Sequence, residues 1–190
     1  AFNKLISNEQ YNFSRYNFFL INYLLDKNKI FEAKKIITKS RNEHSSNLLI
    51  RQTEYFFLKN NEEKIKNIFN CTNPNDALAE FFYVIANLYS SETDYRISNF
   101  YLKISLFLND KFITNRALLA ENFYYQEKNE EAKKIYSDLK LLDPVYYWYA
   151  SKNIASILLK EKGKEHSIKN LEKDFDLLID PNFEHYYEMA

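Results

Sequence analysis

One glycine and three prolines in 190 residues leave this chain nearly without the usual turn formers. Average usage would supply about 13 glycines to a chain of this length. Glycine-rich phosphate loops, dinucleotide-binding turns and hairpin-dense β folds all draw on residues that tolerate positive φ, so this composition argues against each of them. The single cysteine, Cys71, cannot close a disulfide within the chain or build a thiolate metal cluster. Net charge is zero, from 26 basic and 26 acidic residues. Neither half is skewed: residues 1–95 carry 12 basic and 11 acidic side chains, and residues 96–190 carry 14 and 15. Phosphate neutralisation needs clustered Lys and Arg, so nucleic acid is not an expected partner. The most apolar stretch, Phe18 to Leu25, is interrupted by Asn22 and falls far short of the roughly 20 residues that a bilayer requires. No membrane insertion is expected, and a soluble chain in the cytoplasm or the periplasm fits equally. The chain opens on Ala1-Phe2-Asn3 with no initiator methionine, as a piece of a longer protein would.

The rest of the composition favours helix. Aromatics make up 17% of the chain and hydrophobic residues 46%, enough to bury a core. Apolar residues recur at the 3.6-residue period in segments at about 11–26, 30–41, 46–59, 62–70, 76–91, 95–108, 113–126, 129–141, 146–160 and 165–178, with a last one from about 182. The breaks, such as Asp26-Lys27-Asn28-Lys29 and Glu127-Lys128-Asn129-Glu130, are short enough to make consecutive helices antiparallel neighbours. Asn73-Pro74, Asp143-Pro144 and Asp180-Pro181 fall after pairs of helices, where proline opens the next helix and cannot continue the last.

Those pairs repeat. Ile85-Ala86, Leu119-Ala120 and Ile154-Ala155 stand 34 and 35 residues apart, and Tyr89, Phe123 and Leu158 follow one turn along the same face. In the second helix of each pair, Ser98, Ala132 and Ser167 keep the same intervals, each with a large apolar residue four positions on: Leu102, Tyr136 and Leu171. A period held over four columns and two helices marks a stacked helical repeat.

On these residues the chain resembles the tetratricopeptide repeat family, whose unit is a 34-residue helical hairpin. The fullest match is Leu119-Ala120-x-x-Phe123, Ala132-x-x-x-Tyr136 and Pro144, with alanine where the family has glycine. The first family position, usually Trp, is Phe82, Arg116 or Ser151 here. Leu20-Ile21-x-x-Leu24 with Ala33-x-x-x-Ile37, and Gln52-Thr53-x-x-Phe56 with Ile65-x-x-x-Phe69, match less completely. The C-terminal half, with its Tyr/Trp-containing link after Pro144, is similar to the C-terminal repeats of bacterial proteins carrying many such units. The resemblance implies an all-α protein, an α-solenoid of antiparallel hairpins wound as a right-handed superhelix. Residues 1–74 would form two degenerate hairpins, 75–181 three better-matched ones and 182–190 a C-terminal capping helix, in one continuous domain.

Little in the sequence points to catalysis. His44, His166 and His185 lack acidic or cysteine partners at metal-ligand spacing, and they read as solvated polar residues. Cys71 reads as a buried or half-buried structural thiol. Glu62-Glu63 and Glu130-Glu131 sit at helix starts, where the helix dipole explains them without acid–base chemistry. Lys160, Lys162, Lys164, Lys169 and Lys173 alternate with acidic residues and read as a salt-bridged surface. Four adjacent rings, Tyr146-Tyr147-Trp148-Tyr149, cannot all face one core. Either Tyr147 or Trp148 wedges between the fourth and fifth hairpins, or some of the rings line a partner surface.

No cofactor, metal or catalytic residue is expected. The resemblance implies a scaffold that binds a protein or peptide on its concave face, with the oligomeric state open. A regulatory or positioning domain of a larger enzyme is the alternative. By the family's pattern the groove residues would be Tyr83, Asn87, Ala117, Glu121, Tyr124, Lys152 and Ser156, with Phe18, Asn22, Ile50 and Glu54 as further candidates. The carboxylate clamp that some members build from Lys, Asn and Arg is reduced here to Asn87 and Lys152 in different units, with Glu121 opposing it. The implied ligand is thus an internal peptide or a folded surface rather than an acidic chain end.

Overall fold

The computed structural model describes residues 14–178, 181 and 183–189. Eleven helices take up 83% of the described residues, and there is no strand among them. They are α1 (Ser14–Asp26), α2 (Ile30–Glu43), α3 (Leu48–Leu58), α4 (Glu62–Ile68), α5 (Pro74–Ser91), α6 (Tyr95–Leu108), α7 (Ile113–Tyr125), α8 (Asn129–Leu142), α9 (Pro144–Lys162), α10 (Lys164–Asp176) and α11 (Phe183–Met189). Each expected segment is a helix, with ends displaced by only a few residues; the expected start of the first at 11 lies outside the described residues. No helix among the described residues is long and apolar enough to cross a membrane.

The chain divides into two compact units, Ala1–Ala77 and Leu78–Ala190. In the first, α1 packs on α2, α3 and α4, α2 packs on α3, and α3 on α4. In the second, each helix from α6 to α11 packs on the next.

The small-residue columns are where the interior closes. Ala86, Ser98, Ala120 and Ala132 are fully buried, Ala155 nearly so, and Ser167 is half-buried. In the first unit Ile21, Ala33, Thr53 and Ile65 occupy the same columns and are also fully buried. A methyl or hydroxymethyl side chain lets two helix backbones approach closely, and the large residue one turn on fills the space beside the contact. Leu102 and Tyr136 are completely enclosed in this way.

Chain reversal follows one pattern, and it corrects the inference drawn from glycine scarcity. Asn28, Asn60, Thr93 and Glu127 take φ of 54°, 53°, 62° and 61°, each in the turn between the two helices of a pair. Behind each lies the same pair of backbone bonds, shown by Lys29 N–H to the Leu24 carbonyl at 2.8 Å and Asn28 N–H to that of Leu25 at 3.0 Å. The long bond recurs at 2.9 Å from Asn61 to Phe56, Asp94 to Tyr89 and Lys128 to Phe123. These are Schellman ends, in which a left-handed residue satisfies the last free carbonyls of a helix. Side chains other than glycine do the work here at some local strain. The one glycine, Gly163, turns the fifth pair with φ 83° and ψ 177°, a region open essentially to glycine alone.

Side-chain caps finish the helix starts. Asn47, Asp94 and Asp143 accept the backbone N–H of Ile50, Ile97 and Val145 at 3.1, 3.3 and 2.8 Å. Cys71 is exposed, contrary to the expected burial. It lies in a turn held by polar bonds: Asn70 Oδ1 accepts from Thr72 N–H at 2.9 Å, and Asp76 accepts Asn70 N–H at 2.7 Å. In that polar turn the thiol faces solvent.

Four variants test this packing and turn geometry. Thr93→Gly relieves a β-branched residue at positive φ, and after the entropy lost to a more flexible unfolded chain it should stabilise by about 0.5–1 kcal/mol. Gly163→Ala meets no steric neighbour, so its cost is backbone strain alone, about 1–3 kcal/mol. Ala120→Leu and Ala132→Leu should each overpack a closed contact and destabilise by about 1–3 kcal/mol. Urea unfolding followed by circular dichroism measures all four, and opposite signs for Thr93→Gly and Gly163→Ala are the decisive result.

Candidate functional site

In the second unit, α7 and α9 come together through two side-chain contacts. Tyr149 on α9 donates its hydroxyl to Glu121 Oε1 on α7 at 2.5 Å. One edge further, Lys160 Nζ sits 4.2 Å from the ring centre of Tyr124, within cation–π range. On α9 the positions 149, 152, 156 and 160 recur at three- and four-residue steps, so they share one face. On α7, 117, 121 and 124 do the same. The result is a surface with two adjoining strips, one carrying Glu121 and Tyr124, the other Lys152, Ser156 and Lys160.

Beneath it the packing is aromatic and polar at once. The Tyr136 ring on α8 is fully buried and meets Tyr149 edge-on at 5.9 Å, and the buried Tyr146 meets it at 6.4 Å. Burial, and then the charge of Glu121, push the phenols of Tyr136 and Tyr149 well above the ordinary value near 10, so both keep their protons at neutral pH. Burial likewise raises the Glu121 carboxyl above 4.5, while the bond from Tyr149 opposes that shift.

Beside Glu121, Asn122 is enclosed with its amide fully engaged. Its Nδ2 donates to Ser98 Oγ at 2.7 Å and Asn99 Oδ1 at 2.9 Å, and its Oδ1 accepts from Ser90 Oγ at 2.7 Å. Two turns earlier, Asn115 Nδ2 donates to Ser105 Oγ at 2.8 Å, and that hydroxyl donates to the Ala79 carbonyl at 2.7 Å. These two clusters lock α5, α6 and α7 at a fixed register beneath the surface.

The far edge of α9 is engaged differently. Trp148 Nε1 donates to Glu188 Oε2 on α11 at 2.6 Å, and Lys152 Nζ pairs with Glu188 Oε1 at 2.6 Å. On the opposite side, Asp174 of α10 is buried against Lys140 of α8 at 2.6 Å and accepts from the Tyr147 hydroxyl at 3.5 Å. Burial, with the nearby Asp174 charge, pushes the Tyr147 phenol up to about 12.

The seven groove residues named from sequence are therefore spread over three helices. Glu121, Tyr124 and Lys152 are half-buried and engaged as described. Asn87 and Ser156 are exposed, and Ser156 donates its hydroxyl to the Lys152 carbonyl at 3.0 Å. Tyr83 packs against the cluster of Ala86, Leu102 and Leu119, and Ala117 is buried. In the first unit, Phe18 and Ile50 are enclosed, Asn22 donates to the Ile65 carbonyl at 3.0 Å, and Glu54 pairs with Arg41 at 2.9 Å. Of the four adjacent rings, Tyr146 and Trp148 are buried and Tyr147 and Tyr149 half-buried; Trp148 lies edge-on to Phe175 of α10 and to His185 of α11.

Sequence reasoning missed Lys160 and Glu188. Lys160 had a signal in its spacing, two turns beyond Lys152 on the same face. Glu188 had none, because it meets its partners across 36 and 40 residues.

Glu121 gives the site a pH signature. Its folded-state pKa lies above the unfolded value, so its contribution to stability is fully present below the unfolded pKa and is lost as pH rises through the folded one. Glu121→Gln keeps an acceptor for Tyr149 and removes the ionisation. The melting temperature of that variant should therefore rise relative to the parent chain between about pH 4 and pH 7; a constant difference would show that Glu121 ionises at no cost.

No protein-family model matches this chain, and no curated protein matches it either.

Proposed function

We propose that this chain is a non-catalytic scaffold that binds a protein or peptide, built from tetratricopeptide-like hairpins, those of the second unit winding as a right-handed solenoid with the first helix of each pair lining the concave face. The observation that carries this reading is the adjoining α7 and α9 surface, where Glu121 meets Tyr149 and Tyr124 meets Lys160. Half-buried tyrosines and charged groups on helices fixed from below are what a binding surface needs. Rigid aromatic side chains offer large contact area at low entropic cost, and partly exposed ones are favoured as hot spots.

The repeated geometry supports the same reading. Four Schellman turns and a glycine turn reverse the chain once per pair, and the column positions are buried in both units except at the half-buried Ser167. Regular reversal within each unit suits the display of one helix per pair to an extended ligand more than it suits a closed catalytic cavity.

Affinity capture with the intact chain, followed by titration of the captured partner, tests this. Tyr83→Ala with Tyr124→Ala should weaken binding by at least about 1.4 kcal/mol, a tenfold loss. Because Tyr83 also packs against the Ala86 cluster, helicity and melting are measured on the same sample. Unchanged affinity in a folded double variant would move the working surface away from α5 and α7.

A further inference from the structure

The short helix α11 is fixed to α9 by one carboxylate with two donors. Glu188 Oε2 takes the indole N–H of Trp148, and Oε1 takes the ammonium of Lys152, both at 2.6 Å. The two donors differ in kind. Trp148 is 3% exposed, so withdrawal of the carboxylate would leave a buried N–H without this acceptor. The side chains of Lys152 and Glu188 are 37% and 36% exposed, so solvent and competitors reach the ionic end of the contact. Aromatic edges frame it: Phe175 stands 5.7 Å from Trp148, His185 5.9 Å from Trp148, and Tyr186 5.2 Å from Phe175.

We propose that Trp148 and Lys152 form a receptor for a side-chain carboxylate, that Glu188 is its resident and exchangeable ligand, and that its external ligand is a peptide segment bearing a Glu or Asp beside an aromatic residue. This rests on the binding-scaffold reading and names the ligand chemistry for the α9 edge of that surface. Selectivity comes from the pairing of donors: a carboxylate satisfies the indole and the ammonium together, whereas a hydroxyl offers the ammonium no charge. The neighbouring ring edges favour an aromatic residue two positions before the acid, as Tyr186 stands before Glu188 and meets Phe175.

On α11, Phe183 and Tyr187 are 82% and 76% exposed, while His185 and Tyr186 meet Trp148 and Phe175 edge-on.

Trp148 is the one tryptophan of the chain, and its emission reports on the contact directly. The experiment uses the full chain and, as probe, a fluorescein-labelled synthetic peptide of its own residues 181–190. Glu188→Ala should shift the Trp148 emission. Glu188→Gln, which keeps the shape of the side chain, should shift it in the same direction and guards against a folding defect in the alanine variant. The probe should bind the Glu188→Ala chain about tenfold more tightly than the parent chain, because a docked α11 leaves the receptor open only part of the time. Lys152→Met added to Glu188→Ala should abolish that gain, as should glutamine at position 188 of the probe. Equal binding to the parent and Glu188→Ala chains, or binding to neither, overturns the proposal. The scaffold reading is scored separately through the Tyr83 and Tyr124 variant. Failed exchange with intact Tyr-dependent capture removes the receptor alone, and the reverse pattern removes the α5 and α7 surface alone.

Discussion

The distance between two helix backbones is set by the smallest side chain at their crossing, and the order of this molecule follows from that. At Ala86, Ala120 and Ala132 the interface closes over a methyl group, and Ser98 closes it over a hydroxyl. Tight crossing brings backbone and short polar groups within bonding range, which explains why buried Ser and Asn are so frequent here. Ser98 and Ser90 reach Asn122, and Ser105 reaches both Asn115 and a carbonyl of the neighbouring helix. Each hydroxyl would be costly to bury alone, and each is satisfied by a partner on another helix. A core of this kind specifies register as well as burial, since a one-residue slip would orphan several polar groups at once.

The helix α9 shows how that constraint shapes a surface. Its start is sharp, with Pro144 in the first turn and Asp143 capping Val145, so the orientation of the rings that follow is fixed within one turn. Successive residues on a helix point about 100° apart, and the run 146–149 is thereby distributed around the axis. Tyr146 enters the interior and Trp148 faces α10 and α11, while Tyr147 reaches Asp174 and Tyr149 reaches Glu121. The run is neither a single wedge nor a single binding strip. Tyr147, Trp148 and Tyr149 are bonded to three different helices, α10, α11 and α7, and Tyr146 packs on Tyr149.

Helix positions were legible in the sequence because apolar periodicity and short polar breaks are local signals. The small-residue columns were legible too, since they repeat at 34 and 35 residues, and all but the half-buried Ser167 are buried. The turn residues were not. Glycine scarcity read as a lack of left-handed positions, yet Asn28, Asn60, Thr93 and Glu127 adopt them because paired Schellman bonds repay part of the backbone strain. Cys71 is exposed for a related reason: the turn that carries it is organised by Asn and Asp bonds, which leave no local sequence signal for burial or exposure. Tyr124 and Glu121 are expected groove residues by their place in the repeat, and the structure shows only their contacts with Lys160 and Tyr149, whereas Lys160 reads in sequence as one more solvated lysine. Its position over an aromatic ring is set by the approach of α7 to α9, which no window of sequence contains.

Several features of the second unit cost stability where an apolar or glycine alternative would not. Glu121 is desolvated enough to raise its pKa, Asp174 is buried with an ion-pair partner, and Thr93 holds a conformation disfavoured for a β-branched side chain. Replacing a buried ion pair with apolar residues of similar volume is often neutral or stabilising, so Asp174 and Lys140 are poorly explained by stability alone. Their geometric effect is more distinct. Asp174 ties α8 to α10 through Lys140 and reaches α9 through Tyr147, and Lys140 Nζ also lies 4.9 Å from the ring centre of Tyr147. Three helices are thus indexed to one another by a charge that cannot be moved without being left unpaired. The register of α9 is held on that side, and the same register sets where its opposite edge, with Tyr149 and Lys160, meets α7.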